Sequence, residues 1–174
     1  MTTASQTLLL VLRHAHAAKA VSGQDDYSRE LDERGRREGK IIHAEIGRRG
    51  FDAARILCSG SARTRQTLDL VHRSESNTEI EYSDEIYSGD VSTYLDIVKR
   101  QGDARSVMIV GHNPMASELV ALLAREGEPR AMRSLAGNFR PASLAAIEFD
   151  GALADIRPGT GYLRALLDPN ELST

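Results

Sequence analysis

Residues 8–16 read LLLVLRHAH. Five apolar side chains, Leu8 to Leu12, give way abruptly to Arg13-His14-Ala15-His16. A short continuous apolar run suits a strand buried on both faces, because successive side chains point to opposite sides of a sheet. Arg13 and His14 then stand at its C-terminal end, the edge where open α/β sheets form their ligand crevices. A cation beside an imidazole there points to anion chemistry. A strand end whose charged residues simply reach solvent fits this stretch equally well.

Two further runs repeat the pattern. Residues 53–58 (AARILC) lead into Ser59-Gly60-Ser61 and then Arg63, and residues 106–110 (SVMIV) lead into Gly111-His112-Asn113-Pro114. Helices separate the strands. After a polar loop over 17–29, Asp32 is placed as an N-cap and Gly50 as a C-terminal stop, with Arg48 and Arg49 at the negative end of the dipole. Gly35, Gly39, Ile42 and Ile46 share one face of that helix. Each glycine costs about 1 kcal/mol against alanine, which close packing onto the sheet would justify.

A helix over 62–72 sets Thr64, Leu68 and Val71 on one face, residues 79–82 form a short strand, and Val91, Leu95 and Val98 mark a helix closed near Gly102. Pro114 fits the first turn of another helix, with Met115, Leu119 and Leu122 as its inward stripe. Residues 143–149 and 162–167 read as two strands that extend the sheet as a hairpin or edge pair. The alternation predicts an α/β three-layer sandwich, a mostly parallel central sheet with helices on both faces. No repeat or linker interrupts it, so 1–174 reads as a single domain.

The chain has 174 residues, 41% of them hydrophobic, enough to bury a substantial core. Its net charge of −3 gives no general attraction to nucleic acid or an anionic membrane, and Arg63 with Arg65 is too little for a basic track. The single cysteine, Cys58, excludes an internal disulfide, suits a reducing compartment and reads as strand filling. No run approaches the roughly 18 apolar residues of a membrane span, and residues 1–6 (MTTASQ) lack a basic leader region. A cytoplasmic enzyme or binding domain is the expectation.

In a parallel sheet the three strand ends share one edge, so Arg13, His14, Arg63 and His112 can converge. Arg13-His14, then Ser59-x-x-x-Arg63-Thr64-x-Gln66-Thr67, then Gly111-His112-Asn113-Pro114 resemble the motifs of the histidine phosphatase superfamily, the phosphoglycerate mutase-like group. Arg29-x-Leu31-x-x-x-Gly35, the small size and the Gly-His-Asn-Pro form narrow the resemblance to short SixA-like phosphohistidine phosphatases. It implies His14 as the nucleophile, carrying a covalent phosphoryl group that water releases. It further implies Arg13 and Arg63 as clamps on phosphoryl oxygens, His112 as a second phosphate ligand that is cationic when phosphate is bound, and Arg29 as a substrate contact, with no metal and no cofactor. The residue types suit these roles. Only an unprotonated imidazole nitrogen attacks, so the other nitrogen should donate to a fixed acceptor, and arginine offers planar forked donors that keep their charge.

The pattern is departed from in three places. Ala15 stands where the superfamily usually has glycine, adding a methyl where backbone approaches phosphate. His16 reads as a substrate contact or as an exposed loop histidine. The segment that elsewhere carries a general-acid glutamate is short here, SDEIYSGD over 83–90, with Glu85 the best placed candidate and Asp84 and Asp90 behind it. A departing alkoxide needs a proton more than a departing imidazole does. The expected substrate is therefore phosphohistidine on a signalling or phosphocarrier protein, with a small phosphate ester as alternative. A non-catalytic phosphate sensor is the competing class. His14-x-His16 also begins some metal sites, but 174 residues fall short of the barrel of about 250 that carries them, and no further ligand-spaced motif follows. Ser59 and Ser61 read as helix caps, and residues 132–141, with Arg133, Asn138 and Arg140, as a loop that helps select the phospho-donor.

Overall fold

The computed structural model describes residues 6–72 and 77–172; residues 1–5, which carry most of the stretch read above for a leader, lie outside them. The strands are β1 (Gln6–Arg13), β2 (Arg55–Ser59), β3 (Glu79–Ser83), β4 (Ser106–Gly111), β5 (Ala124–Gly127), β6 (Leu144–Asp150) and β7 (Gly161–Leu167). They form one sheet ordered β3-β2-β4-β1-β6-β7-β5. β1 is hydrogen-bonded on both sides, parallel to β4 with Arg13 opposite Gly111, and antiparallel to β6 with Leu12 opposite Leu144. Leu9 and Val11 enter one apolar cluster and Leu10 and Leu12 the other. All four are fully buried, each contributing about 1.5–3 kcal/mol by removal from water. The run of apolar residues is thus continuous because neither face of the strand meets solvent.

The helices are α1 (Glu33–Arg49), α2 (Ala62–Val71), α3 (Glu85–Ser88), α4 (Val91–Lys99), α5 (Met115–Leu123), α6 (Pro129–Leu135) and α7 (Pro169–Leu172). α1 and α2 cover one face of the sheet through Ile42, Ile46, Leu68 and Val71. α4 and α5 cover the other through Tyr94, Ile97, Val98, Leu119, Val120 and Leu123. Only β6 opposes the common strand direction. The predicted three-layer, mostly parallel sandwich is what forms. Among the described residues no helix is long and apolar enough to cross a membrane.

Several local readings are corrected. The Asp32 side chain does cap α1, accepting from the Gly35 N–H at 2.9 Å, and Gly50 closes it in the left-handed conformation at φ 66°. The two helical glycines, however, do not serve contact with the sheet. A Cβ on Gly35 would stand 2.1 Å from the His16 carbonyl oxygen, and one on Gly39 would meet Leu70 of α2. They let α1 approach the segment after β1 and the neighbouring helix. The inward stripe of α5 is Ala116, Leu119, Val120 and Leu123; Leu119 stands as predicted and Met115 packs part-buried against the cluster, but Leu123 takes the place expected for Leu122. β5 and α6 were not anticipated. Because β5 pairs with β7, the β6–β7 pair lies inside the sheet and β5 forms the edge.

Replacing Gly35 with alanine raises helix propensity yet drives a methyl into a backbone carbonyl. Urea denaturation is expected to show Gly35→Ala destabilised by about 1–3 kcal/mol, whereas Arg37→Ala on the exposed face of α1 should stay within about 0.5 kcal/mol.

Candidate active site

The end of β1 is held from both neighbours. The His14 N–H donates to Gly111 O and the His14 carbonyl accepts from Ala142 N–H, both at 3.0 Å, while Arg13 N–H donates to Ser143 O at 3.0 Å. Ala142 is fully buried at φ 58°, a left-handed conformation that alanine rarely adopts and that costs about 1–3 kcal/mol. The turn it occupies is closed by Ser143 N–H donating to Arg140 O at 3.0 Å.

The His14 side chain is 9% exposed, with Nδ1 2.7 Å from the Ala15 carbonyl oxygen. A carbonyl only accepts, so Nδ1 carries the proton and Nε2 presents its lone pair. Burial is the main force pushing this imidazole down to about 3; the Ala15 hydrogen bond opposes it, and the charges of His112, Arg63 and Arg13 add to it. The ring is held neutral and in the tautomer that leaves Nε2 free to attack.

The other expected groups gather around it. The His112 ring lies 5.3 Å from that of His14, centroid to centroid, and its Nε2 is 2.8 Å from Ser59 Oγ. Its pKa is lowered to about 4, chiefly by burial, with Arg63 and Arg13 adding to the effect and Asp26 opposing it. Arg13 Nη1 donates to Phe139 O at 2.8 Å, and that carbonyl also receives Asn113 Nδ2 at 2.9 Å. Arg63, 5% exposed at the start of α2, donates to the Asp26 carbonyl oxygen at 2.6 Å and to Asp26 Oδ2 at 2.9 Å. Arg29 pairs with Asp26 Oδ1 at 3.3 Å, and the Tyr87 hydroxyl donates to Asp26 Oδ2 at 3.1 Å. Arg29 is thus tied to Arg63 through a shared carboxylate.

Asp26 was not singled out from the sequence. Partial burial works to raise its carboxyl, but the hydrogen bonds and charges of Arg63, Tyr87 and Arg29 outweigh it and hold the group below the usual carboxylate range. Asp26 therefore stays ionised at neutral pH. Nε of Arg13, Arg29 and Arg63 and Nδ1 of His112 are buried without a hydrogen-bond partner among the described residues. Each buried polar group left unpaired costs about 1–3 kcal/mol, and an oxyanion with several acceptor oxygens is the ligand chemistry that would satisfy such donors.

The remaining expectations sort by contact. The Ala15 methyl sits in the apolar cluster with Leu10, Leu12 and Leu31, and its N–H donates to Thr67 Oγ1 at 2.9 Å; the extra carbon fills core. His16 turns to α1, with Nδ1 2.7 Å from Asp32 Oδ2 and its N–H bonded to Glu38. Ser59 serves His112 instead of capping a helix, and Ser61 makes no side-chain cap bond. Glu85 pairs with Arg100 at 2.6 Å, Asp84 accepts from the Tyr27 hydroxyl at 2.6 Å, and Asp90 caps α4 by accepting from Thr93 N–H at 2.9 Å. Burial pushes the Cys58 thiol up to about 12, so it stays protonated. Among the described residues no group of three or more His, Cys, Asp or Glu is placed to hold a metal ion.

Comparison with known proteins gives a consistent result. A family model described as "Histidine phosphatase superfamily (branch 1)" matches residues 9–91. The proposed phosphohistidine phosphatase SixA of Nakamurella multipartitia is 30% identical, superimposes with a TM-score of 0.81, and is covered over 98% of its length by 96% of this chain. The proposed SixA of Agrobacterium tumefaciens is 32% identical at a TM-score of 0.79, with 94% of this chain covering 99% of it. A phosphohistidine phosphatase SixA homolog of Haemophilus influenzae is 27% identical over 161 residues, 85% of this chain and 92% of that protein.

One buried and one half-buried neutral imidazole have a measurable signature. NMR titration of the free protein should show the His14 and His112 rings neutral down to about pH 5, with protonation near about 3 and about 4, and saturating vanadate should raise the His112 midpoint. The unfolded chain binds both protons near pH 6.5, so the two groups make stability fall as pH drops through the window from about 6.5 to their folded values. Ring midpoints near 6.5 in the free protein would contradict this site geometry.

Proposed function

The chain belongs to the histidine phosphatase superfamily and its SixA-like group, and we propose that it is a metal-independent, cytoplasmic phosphatase acting on phosphohistidine carried by another protein. His14 Nε2 attacks phosphorus; a new P–N bond forms as the bond to the substrate nitrogen breaks, and the phosphoryl group passes to His14. Water then attacks the same phosphorus, releasing inorganic phosphate and restoring neutral His14. Arg13 and Arg63 bind the phosphoryl oxygens and offset their charge during both transfers. His112, neutral in the free site, gains a proton when the phosphate dianion arrives and becomes a further donor. Arg29 completes the anion-binding set through its link to Asp26 and Arg63.

One observation carries the choice of substrate. The carboxylates best placed by sequence to protonate a leaving group are engaged elsewhere, Glu85 with Arg100, Asp84 with Tyr27 and Asp90 at the start of α4. Asp26, which does reach the site, is held ionised by its cations. No carboxylic acid among these is available to protonate an alkoxide, whereas a substrate imidazole protonated on its distal nitrogen departs as a neutral base. That difference supports phosphohistidine as the substrate.

The test compares turnover of a phosphohistidine protein with that of a panel of phosphate monoesters, without added metal and with a chelator present. A kcat/KM advantage of at least about tenfold for the phosphohistidine protein is expected, equal to about 1.4 kcal/mol of transition-state stabilisation, and His14→Ala should abolish turnover of both. Preference for monoesters would overturn the substrate while leaving the nucleophile in place. Phosphate binding without turnover in the unmodified protein would make it a sensor.

A further inference from the structure

A second surface lies beside the catalytic edge, and the chemistry above does not use it. A groove of about 460 Å³ runs between α6, the connection that follows it and the start of α7, lined by Arg130, Arg133, Asn138, Arg140, Asp168 and Glu171. Arg130, Arg133 and Arg140 are all exposed. Arg130 reaches Glu171 only at 3.8 Å and Arg140 reaches Asp168 at 3.4 Å, and Arg133 has no ion pair among the described residues. Asp168, 6% exposed, is bonded to Asn170 through Oδ1 and faces Arg140 through Oδ2, so three exposed guanidiniums stand against two carboxylates and the groove carries a net positive charge. This is a cationic strip on a chain of net charge −3.

The strip is mechanically continuous with the site. Phe139, adjacent to Arg140, gives its carbonyl to both Arg13 and Asn113. Arg140 itself opens the turn whose Ala142 and Ser143 are bonded to His14 and Arg13. On the other side of His112, Tyr87 packs on its ring and Tyr27 on Tyr87, and Tyr27 is bonded to the exposed carboxylates of Asp25 and Asp84. The site therefore sits between rims of opposite sign. A small phosphate ester would touch neither; a protein presenting phosphohistidine would cover both.

We propose that the Arg130–Arg133–Arg140 groove docks an acidic surface patch of the phosphohistidine-bearing protein, and that the two rims fix the orientation in which that protein presents its imidazole. The proposal rests on the phosphohistidine reading above. Forked guanidinium donors match carboxylates, and charge complementarity of this kind acts on encounter rate, register and salt dependence more than on bulk affinity.

The test uses the full chain with Arg133→Glu, and separately Arg140→Gln, a milder change that keeps Asp168 from facing a like charge. The probes are a phosphorylated histidine-phosphotransfer domain of acidic net charge and the small substrate phosphoramidate. Both variants should lose on the order of tenfold in kcat/KM on the phosphoprotein, mainly through KM, with phosphoramidate turnover unchanged. Raising salt from about 0.05 to about 0.3 M should weaken phosphoprotein turnover by the unmodified protein more than by Arg133→Glu. Unchanged phosphoprotein turnover in both variants would overturn the docking surface and leave the phosphohistidine reading intact. Equal losses on both probes would overturn it too, by showing damage to the site. If the unmodified protein hydrolyses phosphoramidate but no phosphoprotein, the substrate reading falls and the docking surface with it.

Discussion

The two hydrogen-bond ladders that hold β1 between β4 and β6 set where Arg13 and His14 stand. The strand has solvent on neither face and no free edge, so its register is fixed by both ladders and by two apolar clusters at once. A slip of one residue would send Leu9 and Val11 to the face built for Leu10 and Leu12. The same ladders continue past the apolar run into Arg13 and His14, whose backbones are bonded to Ser143, Gly111 and Ala142. Placement of the imidazole is thus a property of the core, expressed at its rim.

Placing cations beside a buried imidazole raises an electrostatic conflict, and the site resolves it by keeping histidine uncharged. His14 and His112 are both driven toward the neutral form, by burial first and by the arginines second. The same arginines need counter-charge to remain packed in a confined space, and Asp26 supplies it through Arg63 and Arg29. One carboxylate against three guanidiniums leaves the site short of negative charge, which suits a phosphoryl dianion. The tautomer of His14 comes from the plainest of partners, the carbonyl of the next residue.

What could be read from the sequence was whatever one strand end announces by itself. The apolar runs, the caps of α1 at Asp32 and Gly50, and the four site residues at three strand ends follow from local pattern plus the rule that parallel strands share an edge. The missing pieces are those whose role exists only across the fold. Asp26 sits in a polar loop like many others until Arg63 is brought against it. Ser59 reads as a cap because nothing local points to His112, 53 positions away. The Phe139 carbonyl carries no side-chain signal at all. On α5 Leu119 was legible, but Leu122 was chosen over Leu123 because both satisfy the spacing, and Ala116 was passed over because alanine is a weak marker of burial. β5 escaped notice because its Arg125 and Glu126 are exposed on an edge strand.

The sheet order divides the labour between strands and connections. Arg13 and His14, Arg63 and His112 lie at the ends of β1, β2 and β4, three neighbouring interior strands, whereas both rims of the cleft come from loops and short helices that connect the strands. Connections tolerate sequence change and insertion far better than interior strands do. Sequence change can therefore redraw the rims while the residues at the three strand ends stay where the core holds them.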